Sequence, residues 1–504
     1  MTDYTAIIIG SGYGGAVSAL RLGEAGVSTL LLEMGKLWDA PGKDGQVHCN
    51  MSSPDGRAMW FKDKTEAPLK SFLGLPVIDK AIDRYPGILD RVNFPNMSVY
   101  VGRGVGGGSL VNGGMAVVPR EDYFREVFPD VDAAEMFAKY YPLALFRLQA
   151  STIPDSLLEN SAWYRFARVG RDQAKRAGFK TRIVPSVYDY DYMGKEDRGE
   201  ARKSAFGAEL MYGNNAGKRS LDKTYIADAL GTGHVTLKFL QRVDEITVDE
   251  AGAFPVYTVK TSEIGDKGPT GVTRKFTCRH LILSAGSVGS SQLLVRARAT
   301  GKLPLLNGEV GRHWGNNGNV MTARANHLWN TTGAKQSTIP AVGIDDWDHP
   351  THPVFAEIAP LPMGFEHWIS LYLALTKTPE RGAFEYDAAS GESVLKWGPG
   401  QSQFSLDGAK IMFDRMNKAN LTSYRYDIFG GGRAFAGDFT YHPLGGCALG
   451  KATDLYGRLK GYRNLYVNDG ALIPGSIGVN PFTTITALAE RNIERIIRED
   501  FPTP

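Results

Sequence analysis

Hydrophobic positions near the N-terminus fall into two short runs, which are separated by a glycine-rich turn and a helix-like segment. The first run is Ala6 to Ile9, and the second is Val27 to Leu32. Short runs that are apolar at every position are typical of strands buried on both faces of a parallel sheet. The pattern predicts a strand, a tight turn, a helix that ends by Gly26 and a second strand, which together open a parallel sheet.

The turn between these runs has the sequence Gly10-Ser11-Gly12-Tyr13-Gly14-Gly15. Gly10 permits a sharp turn, Gly12 lets the backbone approach a pyrophosphate, and Gly15 lets the helix pack closely on the strand. The helix N-terminus offers free N–H groups to the phosphates. Glu33 follows about 20 residues later, where a carboxylate can bind a ribose 2′-hydroxyl. The stretch predicts a dinucleotide site; a glycine turn in an ordinary α/β domain is the alternative.

A second glycine-rich stretch, residues 102–115, also contains the GxGxxG pattern. Glycine recurs soon after Gly108, so no helix is predicted there, and no strand with an acidic end follows at the required distance. We therefore interpret this stretch as backbone that wraps a flat, extended ligand, and not as a second dinucleotide site.

The remaining pattern predicts that the chain returns several times to the nucleotide-binding sheet. Strands are predicted at residues 97–101, 235–240, 281–283, 354–358, 368–375 and 465–470, and a closing helix at about 483–497. Residues 316–437 are predicted to form a separate, largely antiparallel region. We find no internal repeat.

Residues 35–97 are rich in Gly, Pro and Asp and are predicted to be irregular. Long irregular segments in compact enzymes are usually functional. Our hypothesis is that the apolar piece from Pro68 to Ile78 covers a hydrophobic substrate cavity. A surface loop held by a few buried Leu and Phe side chains is the alternative.

Length, charge and cysteine content exclude several classes of protein. A chain of 504 residues is long enough for two cores, and a net charge of +3 is too small to indicate a nucleic-acid partner. Cys49, Cys278 and Cys447 are too few and too widely spaced for a disulfide framework or a metal site, so three buried thiols are favoured over one bridge. No apolar run has the roughly 18 residues of a spanning helix, and no signal-peptide pattern precedes the first strand.

Several motifs together resemble the glucose–methanol–choline family of flavin oxidoreductases, and within it the members that act on sterols. The resemblance covers almost the whole chain. Besides the two glycine-rich stretches, it depends on Val354-Phe355-Ala356-Glu357-Ile358, Tyr441-His442-Pro443-Leu444-Gly445-Gly446-Cys447, residues 469–474 and Asn480-Pro481-Phe482.

Together with the patterning, the resemblance implies an α/β fold with two interleaved domains. A Rossmann-like FAD-binding domain would comprise residues 1–39, 83–150, 215–310 and 438–504. A steroid-binding domain, built on a large, mostly antiparallel sheet plus helices, would comprise residues 40–82, 151–214 and 311–437. The implied FAD contacts are Gly10, Gly12, Tyr13, Gly14, Gly15, Glu33, Gly108, Asn112, Gly113, Met115, Val243, Asp469, Gly470, Asn480 and Phe482. Family members with covalent FAD carry a histidine in the second glycine-rich stretch; residues 106–115 contain none, which favours non-covalent FAD.

The resemblance also implies two reactions on one sterol. Dioxygen would accept the electrons from the 3β-hydroxyl and give hydrogen peroxide, and the resulting 5-ene-3-ketone would be isomerised to the 4-ene-3-ketone. It further implies a monomer that is secreted and touches a membrane surface transiently, with no metal.

Three residues are the candidates for catalysis. Glu357 lies in an apolar strand, where burial should raise its pKa towards that of a general base, although a salt-bridged strand glutamate is the alternative. His442 can accept or donate a proton near neutral pH, although most histidines are structural. Asn480 supplies a neutral amide that can donate to a developing ketone oxygen. The sequence leaves open whether Glu357 or His442 accepts the hydroxyl proton.

Three other functions are compatible with these residues. One is an oxidase of the same family that acts on another alcohol, such as a choline, sugar or aryl alcohol, although such substrates would not need a long apolar segment. Another is a nicotinamide-dependent hydroxysteroid dehydrogenase. The third is a steroid carrier that has the fold but no turnover.

Overall fold

The strands form two large sheets in the computed structural model, which describes residues 2–501 except 74, 76–77, 215 and 363–365. The strands are β1 (Tyr4–Ile9), β2 (Thr29–Leu32), β3 (Leu89–Phe94), β4 (Met97–Gly102), β5 (Lys180–Ile183), β6 (Val235–Lys238), β7 (Gln241–Asp249), β8 (Val256–Gly265), β9 (Gly268–Leu283), β10 (Val320–Ala325), β11 (Val342–Asp346), β12 (Val354–Ala359), β13 (Ile369–Thr376), β14 (Ala383–Asp387), β15 (Glu392–Lys396), β16 (Ser423–Tyr424), β17 (Phe435–Ala436), β18 (Phe439–Thr440) and β19 (Leu465–Val467). The helices are α1 (Tyr13–Glu24), α2 (Glu121–Val127), α3 (Ala133–Glu135), α4 (Tyr141–Arg147), α5 (Asp155–Leu158), α6 (Arg165–Arg176), α7 (Tyr190–Arg198), α8 (Tyr225–Gly231), α9 (Gly286–Ala299), α10 (Gln403–Asn420) and α11 (Phe482–Asp500).

The first sheet has the predicted parallel arrangement. β1 lies between β2 and β9, and β6 and β19 extend the parallel part at its two sides. β7, β8 and the first half of β9 add an antiparallel extension. Ala6 and Ile8 pack into the core under α1 and α11, whereas Ile7 and Ile9 pack into the core on the other face. Burial on both faces explains why the run from Ala6 to Ile9 is apolar at every position.

The second sheet is antiparallel throughout, in the order β16-β10-β13-β12-β11-β5, with β17 also paired to β10. Val354, Ala356 and Ile358 of β12 share a core with residues of α6 and α10. Because side chains alternate along a strand, Phe355 and Glu357 point to the opposite face. The predicted fold class, a Rossmann-like domain interleaved with a domain on a large antiparallel sheet, is confirmed.

The chain passes repeatedly between the two sheets. Strands of the first sheet fall within residues 4–32, 235–283 and 465–467, and strands of the second fall within residues 180–183, 320–376 and 423–436. The domain boundaries given above stay predictions.

One expectation about regular structure is wrong. Residues 35–97, predicted to be irregular, contain β3, which pairs with β4 from Leu89↔Gly102 to Phe94↔Met97. The two strands form a tight hairpin, in which Asn96 takes a left-handed conformation with φ 61°. Asparagine tolerates this conformation better than most residues, and the turn brings the two strands into register.

Two further expectations can be compared with the coordinates. Cys49, Cys278 and Cys447 are buried and form no disulfide, as favoured above. Within the described residues, no helix has the length and apolar character needed to cross a bilayer.

Candidate active site

A cavity of about 710 Å³ lies between the two sheets, and nearly all of the predicted site residues line it. Those that line it are Gly10, Gly12, Tyr13, Gly14, Glu33, Gly108, Asn112, Gly113, Met115, Val243, Glu357, His442, Asp469, Gly470, Asn480 and Phe482. Gly15 does not line it. A Cβ on Gly15 would lie 1.9 Å from the Gly10 carbonyl oxygen, so this glycine allows helix packing, which is the role expected of it.

The two glycine-rich stretches meet at one end of the cavity. α1 begins after Gly12 with no side chain capping its N–H groups, and a Cβ on Gly12 would meet no atom within 4 Å. A Cβ on Gly107 would lie 3.0 Å from Gly12 Cα. Gly107–Leu110 forms only a single 3₁₀ turn. The second stretch therefore wraps the cavity and lacks the strand–turn–helix geometry of a second dinucleotide site.

Glu33 joins these two stretches through Ser11. Its Oε2 accepts hydrogen bonds from the Ser11 N–H (3.0 Å) and hydroxyl (2.6 Å), and its Oε1 accepts one from the Gly35 N–H (2.8 Å). The Gly106 N–H donates to the Ser11 hydroxyl oxygen at 3.0 Å. A carboxylate has about four acceptor positions, so one is left for a ligand hydroxyl.

Asp469 holds the opposite wall of the cavity. Its carboxylate accepts hydrogen bonds from the Ser290 hydroxyl (2.6 Å) and from the N–H groups of Gly286 (2.9 Å) and Ala471 (2.8 Å). Burial raises the pKa of Asp469 to about 6, although these donors oppose the shift. The start of α9 and the segment before α11 are thereby fixed to each other.

The middle of the cavity contains a connected set of rings and amides. The Asn112 amide donates to the Tyr13 hydroxyl at 2.6 Å, and the Tyr13 ring stacks on Phe482 with centroids 5.0 Å apart. Lys218 is buried and donates to the Asn112 carbonyl oxygen and, at 2.8 Å, to its side-chain oxygen. Burial, with a smaller contribution from the charge of Lys223, lowers the pKa of Lys218 to about 7.

Glu357 faces the cavity from β12 and lies at the point where the two domains meet. The Asn480 amide donates to Glu357 Oε2 at 3.2 Å, and a Cβ on Gly113 would lie 3.9 Å from Glu357 Oε1. Burial raises the pKa of Glu357 to about 7, and the hydrogen bond from Asn480 partly opposes this shift. The carboxyl group therefore titrates in the range that suits a general base at neutral pH.

A neighbouring amide fixes the tautomer of His442. The Tyr441 N–H donates to Asn319 Oδ1 at 3.3 Å, so Asn319 Nδ2 is the atom that faces His442 Nδ1, at 3.2 Å. Because Nδ2 can only donate, Nδ1 is an acceptor, and the ring proton of the neutral imidazole is on Nε2. Burial lowers the pKa of His442 to about 3, which keeps the ring neutral.

The other end of the cavity is apolar. Its lining includes Met51, Pro68, Leu69, Leu210, Met211, Met321, Ala359, Leu361, Leu371 and Leu373. Pro68 and Leu69 belong to the proposed covering segment, whereas Leu73 and Leu75 are 70% and 60% exposed. Gly74, Pro76 and Val77 of the same segment lie outside the described residues. This segment thus contributes directly to an apolar compartment next to Glu357.

Reasoning from the sequence missed two residues of this site. Neither Lys218 nor Asn319 is among the site residues predicted above. Each makes its contact with a residue more than 100 positions away, to Asn112 and His442 respectively. No local motif marks either residue.

The fold and this cavity suit a dinucleotide-binding protein with an apolar compartment next to the cofactor site, and comparisons with known proteins give its family. A GMC oxidoreductase model matches residues 4–312, and two models of the C-terminal part match residues 317–430 and 411–489. The chain belongs to the GMC oxidoreductases, FAD-dependent enzymes that act on alcohols.

Individual relatives are distant but match over almost the whole chain. The chain is 24% identical to a cholesterol oxidase of Acinetobacter baumannii, over 98% of this chain and 94% of that protein, and 25% identical to a cholesterol oxidase of Mycobacterium tuberculosis, over 97% and 90%. It is 24% identical to a long-chain-alcohol oxidase of Arabidopsis thaliana, over 96% and 66%. A fungal aryl-alcohol oxidase has the same fold, with a TM-score of 0.69 over all of both chains and 13% identity.

The cavity fits FAD on its own geometry. The open space at Gly12, the uncapped start of α1 and the remaining acceptor position of Glu33 suit an adenosine diphosphate. Asn480 Oδ1 is buried and has no hydrogen-bond partner among the described residues, so it is available to a ligand in the middle of the cavity. Gly107, Gly108, residues 111–115 and Phe482 line the cavity and would hold the flavin end.

Two glycine substitutions are expected to have different effects: one lowers the free energy of unfolding, and the other lowers the affinity for FAD. A Cβ on Gly14 would lie 1.6 Å from the Asn468 carbonyl oxygen, so Gly14→Ala is expected to lower the free energy of unfolding by about 3 kcal/mol or more. Gly12→Ala adds its methyl group to the open cavity, so unfolding of the apoprotein should change by no more than about 1 kcal/mol. Affinity for FAD should nevertheless fall by at least about tenfold, because the backbone can no longer approach the pyrophosphate.

Denaturant unfolding of the apoproteins and the fluorescence of released FAD measure the two effects. Gly231→Ala is the control, because its Cβ would meet nothing within 4 Å and Gly231 does not line the cavity. Equal stability of Gly14→Ala and the control, or unchanged FAD affinity of Gly12→Ala, would contradict this account.

Proposed function

We propose that this chain oxidises the 3β-hydroxyl of cholesterol and related sterols with dioxygen, releases hydrogen peroxide, and isomerises the 5-ene-3-ketone to the 4-ene-3-ketone. The observation that carries this proposal is the position and pKa of Glu357. Its carboxyl group has a pKa of about 7 and lies between the second glycine-rich stretch and the apolar end of the cavity. The two cholesterol oxidases among the relatives support it, because they match over almost the whole chain.

In the oxidation, His442 and Glu357 take different roles. His442 Nε2–H donates a hydrogen bond to the sterol oxygen and orients it, because Nδ1 is already occupied by Asn319. Glu357 accepts the hydroxyl proton, because its pKa is near neutrality whereas that of His442 is far below it. FAD, which Gly12, Asn112 and Phe482 would help to hold, would supply the acceptor for the hydride of the carbinol carbon and the route of the electrons to dioxygen. Asn480 donates to Glu357 and holds the carboxylate in position.

In the isomerisation, one group must remove the proton at C4 and return it at C6. A single carboxyl group on the correct face of the ring can do both, provided that its pKa is close to the working pH. Glu357 meets this requirement, and the apolar walls keep water from competing for the proton. The same residue therefore serves both reactions: it releases the hydroxyl proton, which the formation of hydrogen peroxide consumes, and as the carboxylate it then takes the C4 proton.

Three attributes belong to the proposal and depend on the family resemblance. FAD is held without a covalent bond, which agrees with the absence of histidine from residues 106–115. The enzyme is a secreted monomer. It contacts a membrane transiently through the covering segment, where the exposed Leu73 and Leu75 adjoin the cavity-lining Pro68 and Leu69.

Oxidation of a long-chain alcohol is the second candidate. The Arabidopsis relative and the apolar compartment favour it, but such a substrate offers no isomerisation for Glu357. Anaerobic addition of cholesterol or of hexadecanol to the FAD-loaded protein distinguishes the two. We expect cholesterol to bleach the flavin absorbance within seconds and hexadecanol to bleach it far more slowly. Faster bleaching by hexadecanol would favour the second candidate, and no bleaching by either would contradict both.

Glu357→Gln tests the isomerisation directly. The amide has nearly the same shape but cannot accept the C4 proton, so conversion of the 5-ene-3-ketone should fall by about 10²–10⁴-fold. The ultraviolet absorbance of the conjugated product measures this step without the flavin. Glu263→Gln, on the outer part of β8, is the matched control. Undiminished isomerisation by Glu357→Gln would remove this residue from the mechanism.

The pH dependence follows from the raised pKa of Glu357. The carboxylate is the active form, so activity should fall as the pH drops through about 7, and the rate at pH 6 should be about one tenth of that at pH 8. Asn480→Leu removes a hydrogen bond that lowers this pKa, so the midpoint should move to higher pH. Isomerisation rates between pH 5 and pH 9 provide the measurement. A profile that is flat, or a midpoint that Asn480→Leu leaves in place, would contradict the assignment.

A further inference from the structure

A second cavity, of about 510 Å³, lies apart from the first and shares no lining residue with it. We call it the basic cleft. It is formed where the turn at residues 309–313 meets the β14–β15 hairpin and the segment around Lys451. Its lining residues are Glu309, Arg312, His313, Arg381, Gly382, Ala383, Lys396 and Lys451.

The basic cleft has an excess of positive charge. Arg312, Arg381, Lys396 and Lys451 contribute four cations, and Glu309 contributes one carboxylate. That carboxylate is engaged by His313, whose Nε2 lies 2.8 Å from Glu309 Oε2. In the part of the chain that the structure describes, none of the four cations forms an ion pair.

Arg381 is the best-fixed donor in the basic cleft. Its Nη1 donates to the carbonyl oxygens of Thr378 (2.8 Å) and Glu380 (2.7 Å). Its side chain also packs against Gly475, where a Cβ would lie 2.5 Å from Arg381 Cδ. Its Nε and Nη2 donate to no described residue. The guanidinium is thus held in one orientation with donors left over, the arrangement that suits bidentate binding of an oxyanion.

Like charges that share one cleft repel each other within a Debye length of about 10 Å at 0.1 M salt. A bound anion relieves this repulsion, and a multivalent anion does so most effectively. The volume lies within the range of about 300–1,000 Å³ that small-molecule sites occupy. Lys396 and Lys451 are exposed at the cleft, where their ammonium groups can reach a second phosphate.

We propose that the basic cleft binds a multivalent phosphate, such as a diphosphate or a phosphate monoester, with Arg381 as the fixed donor and Arg312, Lys396 and Lys451 as the surrounding cations. The site does not depend on the substrate proposed above. It lies behind the segment that carries His442, because the Gly446 N–H donates to the Arg312 carbonyl oxygen at 3.0 Å and Gly315 pairs with Leu444.

Calorimetric titration of the FAD-loaded enzyme with inorganic pyrophosphate tests the proposal. FAD must be present because the glycine turn at the start of α1 would otherwise bind pyrophosphate itself. An unchanged flavin spectrum shows that FAD stays in place. We expect one pyrophosphate per chain, with an affinity that weakens as sodium chloride is raised.

Lys396→Gln combined with Lys451→Gln should weaken this binding by at least about tenfold. Lys267→Gln combined with Lys275→Gln removes the same charge from the β8–β9 hairpin and should leave binding unchanged. Equal weakening by both double variants would overturn the proposal.

A second experiment, vesicle sedimentation, distinguishes a soluble phosphate from a lipid headgroup. Phosphatidylcholine vesicles with and without phosphatidic acid are sedimented with the FAD-loaded enzyme. Sedimentation that requires phosphatidic acid and is lost only in the Lys396/Lys451 double variant assigns the cleft to a lipid phosphate. Pyrophosphate binding without such sedimentation assigns it to a soluble ligand. Failure of both experiments refutes the site, whatever the enzyme does with sterols.

Discussion

The hydrogen bonds of Ser11 hold together the end of the cavity on which the rest of the site depends. Its hydroxyl donates to Glu33 and accepts from the Gly106 N–H, so one side chain connects the first glycine turn, the end of β2 and the second glycine-rich stretch. A buried carboxylate is costly unless donors surround it, and Glu33 has three. The two stretches are thus held against each other at the edge of the cavity.

Burial acts in opposite directions on the pKa values of Glu357 and His442. It raises the pKa of Glu357 and lowers that of His442, because it disfavours the charged form of each. One apolar environment therefore yields both a proton acceptor and a neutral hydrogen-bond donor. Two side-chain amides contact these groups. Asn480 donates a hydrogen bond to the Glu357 carboxyl group, and Asn319 fixes the tautomer of the His442 imidazole.

The features that could be predicted from the sequence are those with a local signature. The first glycine turn lies between two apolar runs, and the alternation in β12 places Glu357 opposite the side chains that pack on α6 and α10. The position of Lys218 beside Asn112 could not be predicted, because it results from tertiary packing between distant segments. β3 was missed because its polar residues and its flanking Gly and Pro obscured the alternation, and only its pairing with β4 defines it.

The first sheet is completed by the C-terminal end of the chain. β19 and α11, from residue 465 onwards, complete the first sheet and bring Asn480 and Phe482 to the cavity. A nascent chain that has not yet emerged to this point has its glycine turn but lacks the opposite wall. Because residues between 469 and 482 form part of the cavity wall, the complete site exists only when the C-terminal end of the chain has joined the first sheet.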